Sequence, residues 1–158
     1  MSFSARTAFG AIAAVAATAL AAALVSQHVF DMQPCPWCVL QRLIFVAIAL
    51  AAVGGLAWQS LRGQRSVVLV LLLLCGAGIA AVLWQHFVAA LSNSCNLTLA
   101  DRILSATGLP SVLPDMFEAR ATCADAAVDL LGVPYEFWAL ALFVAIALGA
   151  VGLLVKRR

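Results

Sequence analysis

Residues 33–42 read QPCPWCVLQR, and the chain runs on without interruption through LIFVAIALAAVGGLAW at 43–58. A pair of cysteines two residues apart opens the stretch, and an arginine follows one helical turn after the second. From Cys38 to Trp58 the only full charge is Arg42. An apolar run of roughly 20 residues is long enough to cross a hydrocarbon core of about 30 Å as a helix. Pro36 suits the first turn of such a helix, where its missing N–H costs nothing. Cys38 then falls among the unpaired N–H groups at the positive end of the helix dipole, a setting that favours thiolate. Arg42 shares a face with Cys38 and lies about 6 Å deeper along the axis. An ionisable side chain inside a span is a functional candidate by default.

The rest of the chain has the same character. Of 158 residues, 65% are hydrophobic and 10% charged, against about half and about a quarter in ordinary soluble domains. The excess collects into four runs, about 8–29, 38–58, 66–88 and 135–155. Lipid cannot satisfy open backbone groups, so each run must be helical. The expectation is an all-α membrane protein, a four-transmembrane-helix bundle forming one integral domain over residues 1–158. Arg6 and the small residues of AAAL would also suit a cleaved leader, but the first run exceeds the roughly 7–15 apolar residues of a signal core. A net charge of +2 is too small to argue for nucleic acid.

Charge placement orients the bundle. Arg6 precedes the first run, Arg62 and Arg65 join the second to the third, and Lys156, Arg157 and Arg158 close the chain. If the four helices alternate, these six fall on one side, which should be cytoplasmic, with both termini there. The seven acidic residues, from Asp31 to Glu136, fall on the other side. The outward loops are then about 30–37 and 89–134. They carry Cys35, Cys38, Cys95 and Cys123, in the compartment where disulfides persist. Cys75, in the middle of the third run, reads as a small packing residue.

The second loop has signals of its own. TLAD at 98–101 resembles a capping box, with Thr98 as cap and Asp101 in place of the usual Glu. Leu97, Ile103 and Leu104 would give the following short helix an apolar face for the membrane surface. TGLPSVLPD at 107–115 should break any helix through Gly108, Pro110 and Pro114. NLT at 96–98 matches a glycosylation acceptor, a three-residue pattern that chance also produces.

Several chemistries use a C-x-x-C pair. Haem attachment needs His after the second cysteine, and Val39 stands there. Structural zinc prefers two close pairs, whereas Cys95 and Cys123 are 28 positions apart. A redox disulfide fits best. Electrons leaving it can pass to another thiol or to a lipid-soluble carrier. A quinone would need an apolar slot and a few donors at its carbonyls; Arg42, His86 near the end of the third run, and His28 at the end of the first are the available donors.

Over essentially its whole length the sequence resembles the DsbB family of bacterial disulfide bond formation proteins. The resemblance rests on four spans, CPWCVLQR at 35–42, QH at 85–86, Cys95 and Cys123 in the second loop, and DLLGVPYEFW at 129–138. The chain departs from the family pattern at the loop's exit. The family has Met-Pro just before the Trp corresponding to Trp138, whereas Pro134 stands earlier here, and Val128 replaces an aromatic residue. The resemblance implies an inner-membrane thiol oxidoreductase that reoxidises a periplasmic DsbA-like oxidase. Cys95 would form the mixed disulfide with that partner, Cys123 would exchange with Cys35, and Cys38 would pass electrons to ubiquinone or menaquinone. Arg42 would hold the quinone, with His86 nearby. Such a partner has a potential near about −120 mV, and structural disulfides lie below about −300 mV. An ordinary disulfide would therefore oxidise it uphill by about 8 kcal/mol for two electrons, so a terminal acceptor must draw the chain forward.

Two rivals share these residues. A quinone reductase of the vitamin K epoxide reductase type also has four helices and two cysteine pairs, but there the loop pair precedes the C-x-x-C. A structural membrane protein would use the loop disulfides only as staples, inert to quinone.

Overall fold

The second and third long helices begin where the sequence supplies a local cap. In the computed structural model, which describes residues 3–58, 60–91 and 98–155 with side chains from Ala5 onward, α1 spans Phe3–Val29, α2 Pro36–Ala57 and α3 Leu61–Trp84. A π-helical turn, Gln85–Ala89, extends α3. Three short helices follow, α4 (Leu99–Thr107), α5 (Leu109–Val112) and α6 (Pro114–Phe117). A two-residue hairpin, β1 (Asp129–Leu130) with β2 (Val133–Pro134), leads into α7, Tyr135–Val155.

Among the described residues, four helices are long and apolar enough to cross a membrane, Ala5–Val29, Pro36–Ala57, Leu61–Ala89 and Tyr135–Val155. They pack as a ring of neighbours, α1 on α2, α2 on α3, α3 on α7, and α7 back on α1. Large apolar side chains such as Leu50, Leu73 and Leu148 point outward and are about 70% exposed, which suits lipid as solvent. The interior holds Phe9, Ile48, Leu71 and Phe143. Phe45 of α2 stacks on Phe143 of α7, with ring centroids 4.3 Å apart. Two glycines make room for these rings. A Cβ on Gly78 would lie 2.6 Å from Phe143, and one on Gly55 would lie 2.8 Å from Phe9. Cys75 is enclosed in this core.

The third helix starts at Leu61, not near Ser66 where the apolar run begins. Ser60 accepts a hydrogen bond from Gly63 N at 3.1 Å and caps the helix early. Arg62 and Arg65 are therefore in its first turns and not in a link. In the second loop, the capping box of Thr98 and Asp101 is present in both directions. Gly108 ends α4 at φ 68°, as its freedom to adopt that conformation allows. The region after it is not free of helix, as its prolines suggested. Pro110 and Pro114 sit in the first turns of α5 and α6, where proline starts helices and does not break them. The hairpin also departs from the sequence reading. Leu131 (φ 58°) and Gly132 (φ 78°) are both left-handed, as a tight two-residue turn between strands requires.

The second loop folds back over the start of α2. Arg120 N and Ala121 N both donate to Pro34 O, at 2.9 and 3.2 Å. Helices α4 and α6 pack against α2. Leu104 and Phe117 close around Val39, which is fully buried. The two loops thus meet over the C-x-x-C motif.

Candidate active site

Cys35 is the N-cap of α2, with Pro36 next in the helix, so the backbone turns each cysteine toward the other. Cys38 N donates to Cys35 Sγ at 3.3 Å, and the two sulfurs are 2.9 Å apart. The Cys123 sulfur is hydrogen-bonded to Cys35 as well, and accepts the Trp37 main-chain N–H. Cys35 is thus the middle sulfur of three. Its hydrogen bond with Cys123, then that with Cys38, then burial, push its thiol well above the ordinary range. The hydrogen bond from Cys35 holds Cys123 below its usual value, against the opposing effect of burial. One proton on Cys35 therefore serves two neighbouring sulfurs, and Cys123 leans toward thiolate. Cys95 lies outside the described residues, as do Asn96 and Leu97 of the NLT motif and Lys156 to Arg158.

Cys38 has a further partner that the sequence did not single out. Gln85 Nε2 donates to Cys38 Sγ at 3.3 Å, and Gln41 Nε2 fixes the amide by donating to Gln85 Oε1 at 2.7 Å. Gln85 opens the π-turn that ends α3. Such turns re-aim side chains and recur at functional sites.

Arg42 is buried, and its donors are shared among three elements. Nη1 donates to Gln27 Oε1 at 2.6 Å and to Met116 O at 3.2 Å, and Nη2 donates to Ala23 O at 3.3 Å. Gln27 Nε2 in turn donates to Asp115 O at 3.2 Å. All of Arg42's acceptors are neutral, and among the described residues no carboxylate pairs with it. The charge is left for a thiolate or for a ligand oxygen.

A cavity of about 310 Å³ opens beside these groups, between α1, α2 and α7. Cys38, Arg42, Gln85, Tyr135 and Glu136 are among its polar lining residues, and Phe45 and Trp138 are among its apolar walls. Its size and its few convergent polar groups are those of a small-molecule site. A flat, apolar ring with acceptor oxygens fits this lining, since Arg42 supplies N–H donors and a buried positive charge next to a thiol. A larger cavity of about 880 Å³, between α2 and α3 under α4, is lined by Trp37, Trp84 and aliphatic side chains and contains no thiol.

His86 does not line the smaller cavity. Its Nδ1 meets Glu136 Oε1 at 2.7 Å, and its ring lies against Phe87 and Phe137. His28 is exposed at the end of α1. The residues that sequence reasoning passed over are Gln27, Gln41, Gln85, Tyr135 and Glu136. Four of these five are buried polar groups at one end of apolar helices, a placement that is costly without a purpose, and Gln85 and Glu136 stood in the QH and PYEFW segments.

Four apolar helices closing around a buried thiol cluster, with a charged cavity beside it, define a multi-pass membrane protein built for thiol chemistry. The model of the family "Disulfide bond formation protein DsbB" matches residues 5–153, and the chain belongs to that family. It is 33% identical to Disulfide bond formation protein B of Aromatoleum aromaticum over 99% of this chain and 96% of that one. It is 33% identical to the protein of the same name in Herminiimonas arsenicoxydans over 87% of each chain. With that of Ralstonia nicotianae it shares 32% over 99% of this chain and 98% of the relative.

Proposed function

We propose that this protein reoxidises a DsbA-like dithiol oxidase and passes the electrons through two cysteine pairs to ubiquinone or menaquinone in the bacterial inner membrane. The observation that carries the reading is the line of three sulfurs, Cys123 to Cys35 to Cys38, ending at the cavity that Arg42 lines. The partner's thiolate attacks Cys95 and displaces Cys123. The Cys123 thiolate attacks Cys35 and displaces Cys38. The partner's second thiol then resolves the mixed disulfide at Cys95, and the released Cys95 attacks Cys123 to restore the loop disulfide. Cys35 and Cys38 are left reduced, holding the two electrons. A quinone bound in the cavity supplies a two-electron acceptor strong enough to draw these exchanges forward. Arg42 would donate to its oxygen and stabilise the adjacent Cys38 thiolate, with Gln85 as a second donor to that sulfur. The positive-inside pattern supports cytoplasmic termini and a periplasmic cysteine end.

The test uses purified protein in lipid nanodiscs with a reduced DsbA-like oxidase and ubiquinone-1. Wild type should reduce one quinone per partner disulfide formed. Cys38→Ser should still accept one attack by the partner but reduce no quinone. Normal quinone turnover by Cys38→Ser would overturn the reading. Reporter fusions after Arg62 and after Asp115 should fall on opposite sides of the membrane; agreement between them would overturn the orientation.

A further inference from the structure

Glu136 is the only carboxylate lining the cavity beside Cys38 among the described residues, and its side chain is 5% exposed. An acid this deep in an apolar bundle is costly unless it is paired or used. Its Oε1 is held by His86 Nδ1 at 2.7 Å. His86 is not among the residues lining the cavity, and 31% of its side chain is exposed. The two side chains therefore link the outside of the bundle to the cavity through one short hydrogen bond. They come from different helices, α7 and the π-turn after α3, so their meeting is a property of the fold and not of local sequence.

We infer that His86 and Glu136 form a proton path into the cavity, with Glu136 as the group that hands the proton over. The inference rests on the proposed reading of the cavity as a quinone site. Oxidation of Cys35 and Cys38 to their disulfide gives up two electrons, and the acceptor must gain two protons with them. The Cys35 thiol releases one proton as its S–H bond is exchanged for the S–S bond. Cys38 reacts as a thiolate and has none to give, so the second proton must come from elsewhere. The Glu136 carboxyl supplies it. His86, three residues from the end of its span, takes up a proton from water at the membrane interface and returns one to the carboxylate through its Nδ1–H. The other titratable groups facing the cavity cannot fill this place. Arg42 does not deprotonate in proteins, Cys38 is the reductant, and the Tyr135 hydroxyl donates to Ser26 Oγ at 3.1 Å.

Glu136→Gln keeps the size and a hydrogen-bonding partner for His86 but carries no proton. Ubiquinone-1 affinity, read by quenching of tryptophan fluorescence, should stay within about twofold of wild type, because Arg42 and the apolar walls are intact. Turnover should fall about 10²-fold, the usual worth of a positioned acid. The loss should be greatest at high pH and partly rescued by a small weak acid such as formate. In quinone-free wild type, infrared spectroscopy should show a carboxyl band that shifts on exchange into deuterated water and is missing in Glu136→Gln. His86→Gln should keep that band but slow turnover, and it provides the same test from the outer side should Glu136→Gln fold poorly. An unchanged rate and pH profile in both variants, or no exchanging carboxyl band, would overturn the proton path while leaving the quinone reading intact. Wild type that neither binds nor reduces ubiquinone-1 would overturn the quinone reading and this inference with it.

Discussion

Arg42 Nη1 donates to Met116 O at 3.2 Å, across 74 positions of chain. The same guanidinium group that lines the cavity therefore also holds the second loop, and Gln27 doubles the connection through Asp115 O. Loop position and cavity electrostatics share one side chain.

Arg42→Lys keeps the charge but loses the planar fork that reaches Gln27, Met116 and Ala23 together. Apparent quinone affinity should fall about tenfold, the worth of one charged hydrogen bond. Amide exchange around 115–118 should quicken in the same variant, and thiol exchange at the loop cysteines should persist. Unchanged quinone dependence together with unchanged exchange would reduce Arg42 to an interface anchor.

Gln85→Leu removes the donor to Cys38 Sγ and leaves Gln41 Nε2 without its acceptor. Hydrogen bonds to charged groups are worth about 1.5–3 kcal/mol, so quinone reduction should slow about tenfold or more. Gln85→Glu preserves the shape and should do no better, since it offers an acceptor where a donor is needed. Stopped-flow quinone absorbance decides the matter, and a Gln85→Leu rate equal to wild type would remove Gln85 from the site.

The four spans were legible because lipid demands about 20 apolar residues whatever their identity. The start of α3 was not, because Ser60 and its bond to Gly63 set it and not hydropathy. The CPWC pair announced its own contact through spacing, since residues three apart at a helix start must meet. That Cys123 would reach Cys35 could only be suggested by resemblance, for the contact depends on Arg120 and Ala121 pinning the loop to Pro34. QH at 85–86 drew attention to the histidine, yet the π-turn sends Gln85 to the thiol and His86 to Glu136. Which of two adjacent side chains faces the site depends on helix register, and a one-residue bulge is invisible in composition.

Cys123 should show the pH dependence of a depressed thiol. Its hydrogen bond from Cys35 favours the thiolate, so reaction with iodoacetamide should proceed at pH values where a free thiol, near 9.0, is still protonated. Replacing Cys35 with Ala removes that donor, and the inflection of the alkylation profile should move up. Measured in a Cys38→Ser, Cys95→Ser background by mass spectrometry, an inflection that Cys35→Ala leaves in place would show that the contact does not control Cys123.

Gly78→Ala tests the packing that positions α7. The added Cβ would stand 2.6 Å from a Phe143 ring that is fully buried and stacked on Phe45. The ring cannot swing aside without breaking that stack, so overpacking should cost about 1–3 kcal/mol. Gly76→Ala, which meets nothing within 4 Å, is the matched control. Thermal unfolding in detergent should separate the two, and equal midpoints would contradict the close approach of α3 and α7.

Trapping separates the tasks of the two cysteine pairs. In Cys123→Ser, Cys95 has no loop partner, and no second loop thiol can displace an oxidase attached there. An oxidase variant lacking its own second thiol, supplied as its mixed disulfide with a small aromatic thiol, should then exchange onto Cys95, release the small thiol and accumulate as a mixed disulfide, visible by non-reducing electrophoresis. The Cys35–Cys38 pair is untouched in this variant, and its sulfurs remain beside the cavity. Quinone should therefore still be reduced by a small dithiol that reaches Cys35 directly, though not by the protein partner. Cys38→Ser should behave in the opposite way, with a competent loop pair and no quinone reduction. Attachment of the trapped oxidase at Cys35 instead of Cys95 would contradict this order, because the long loop would then serve only as a tether.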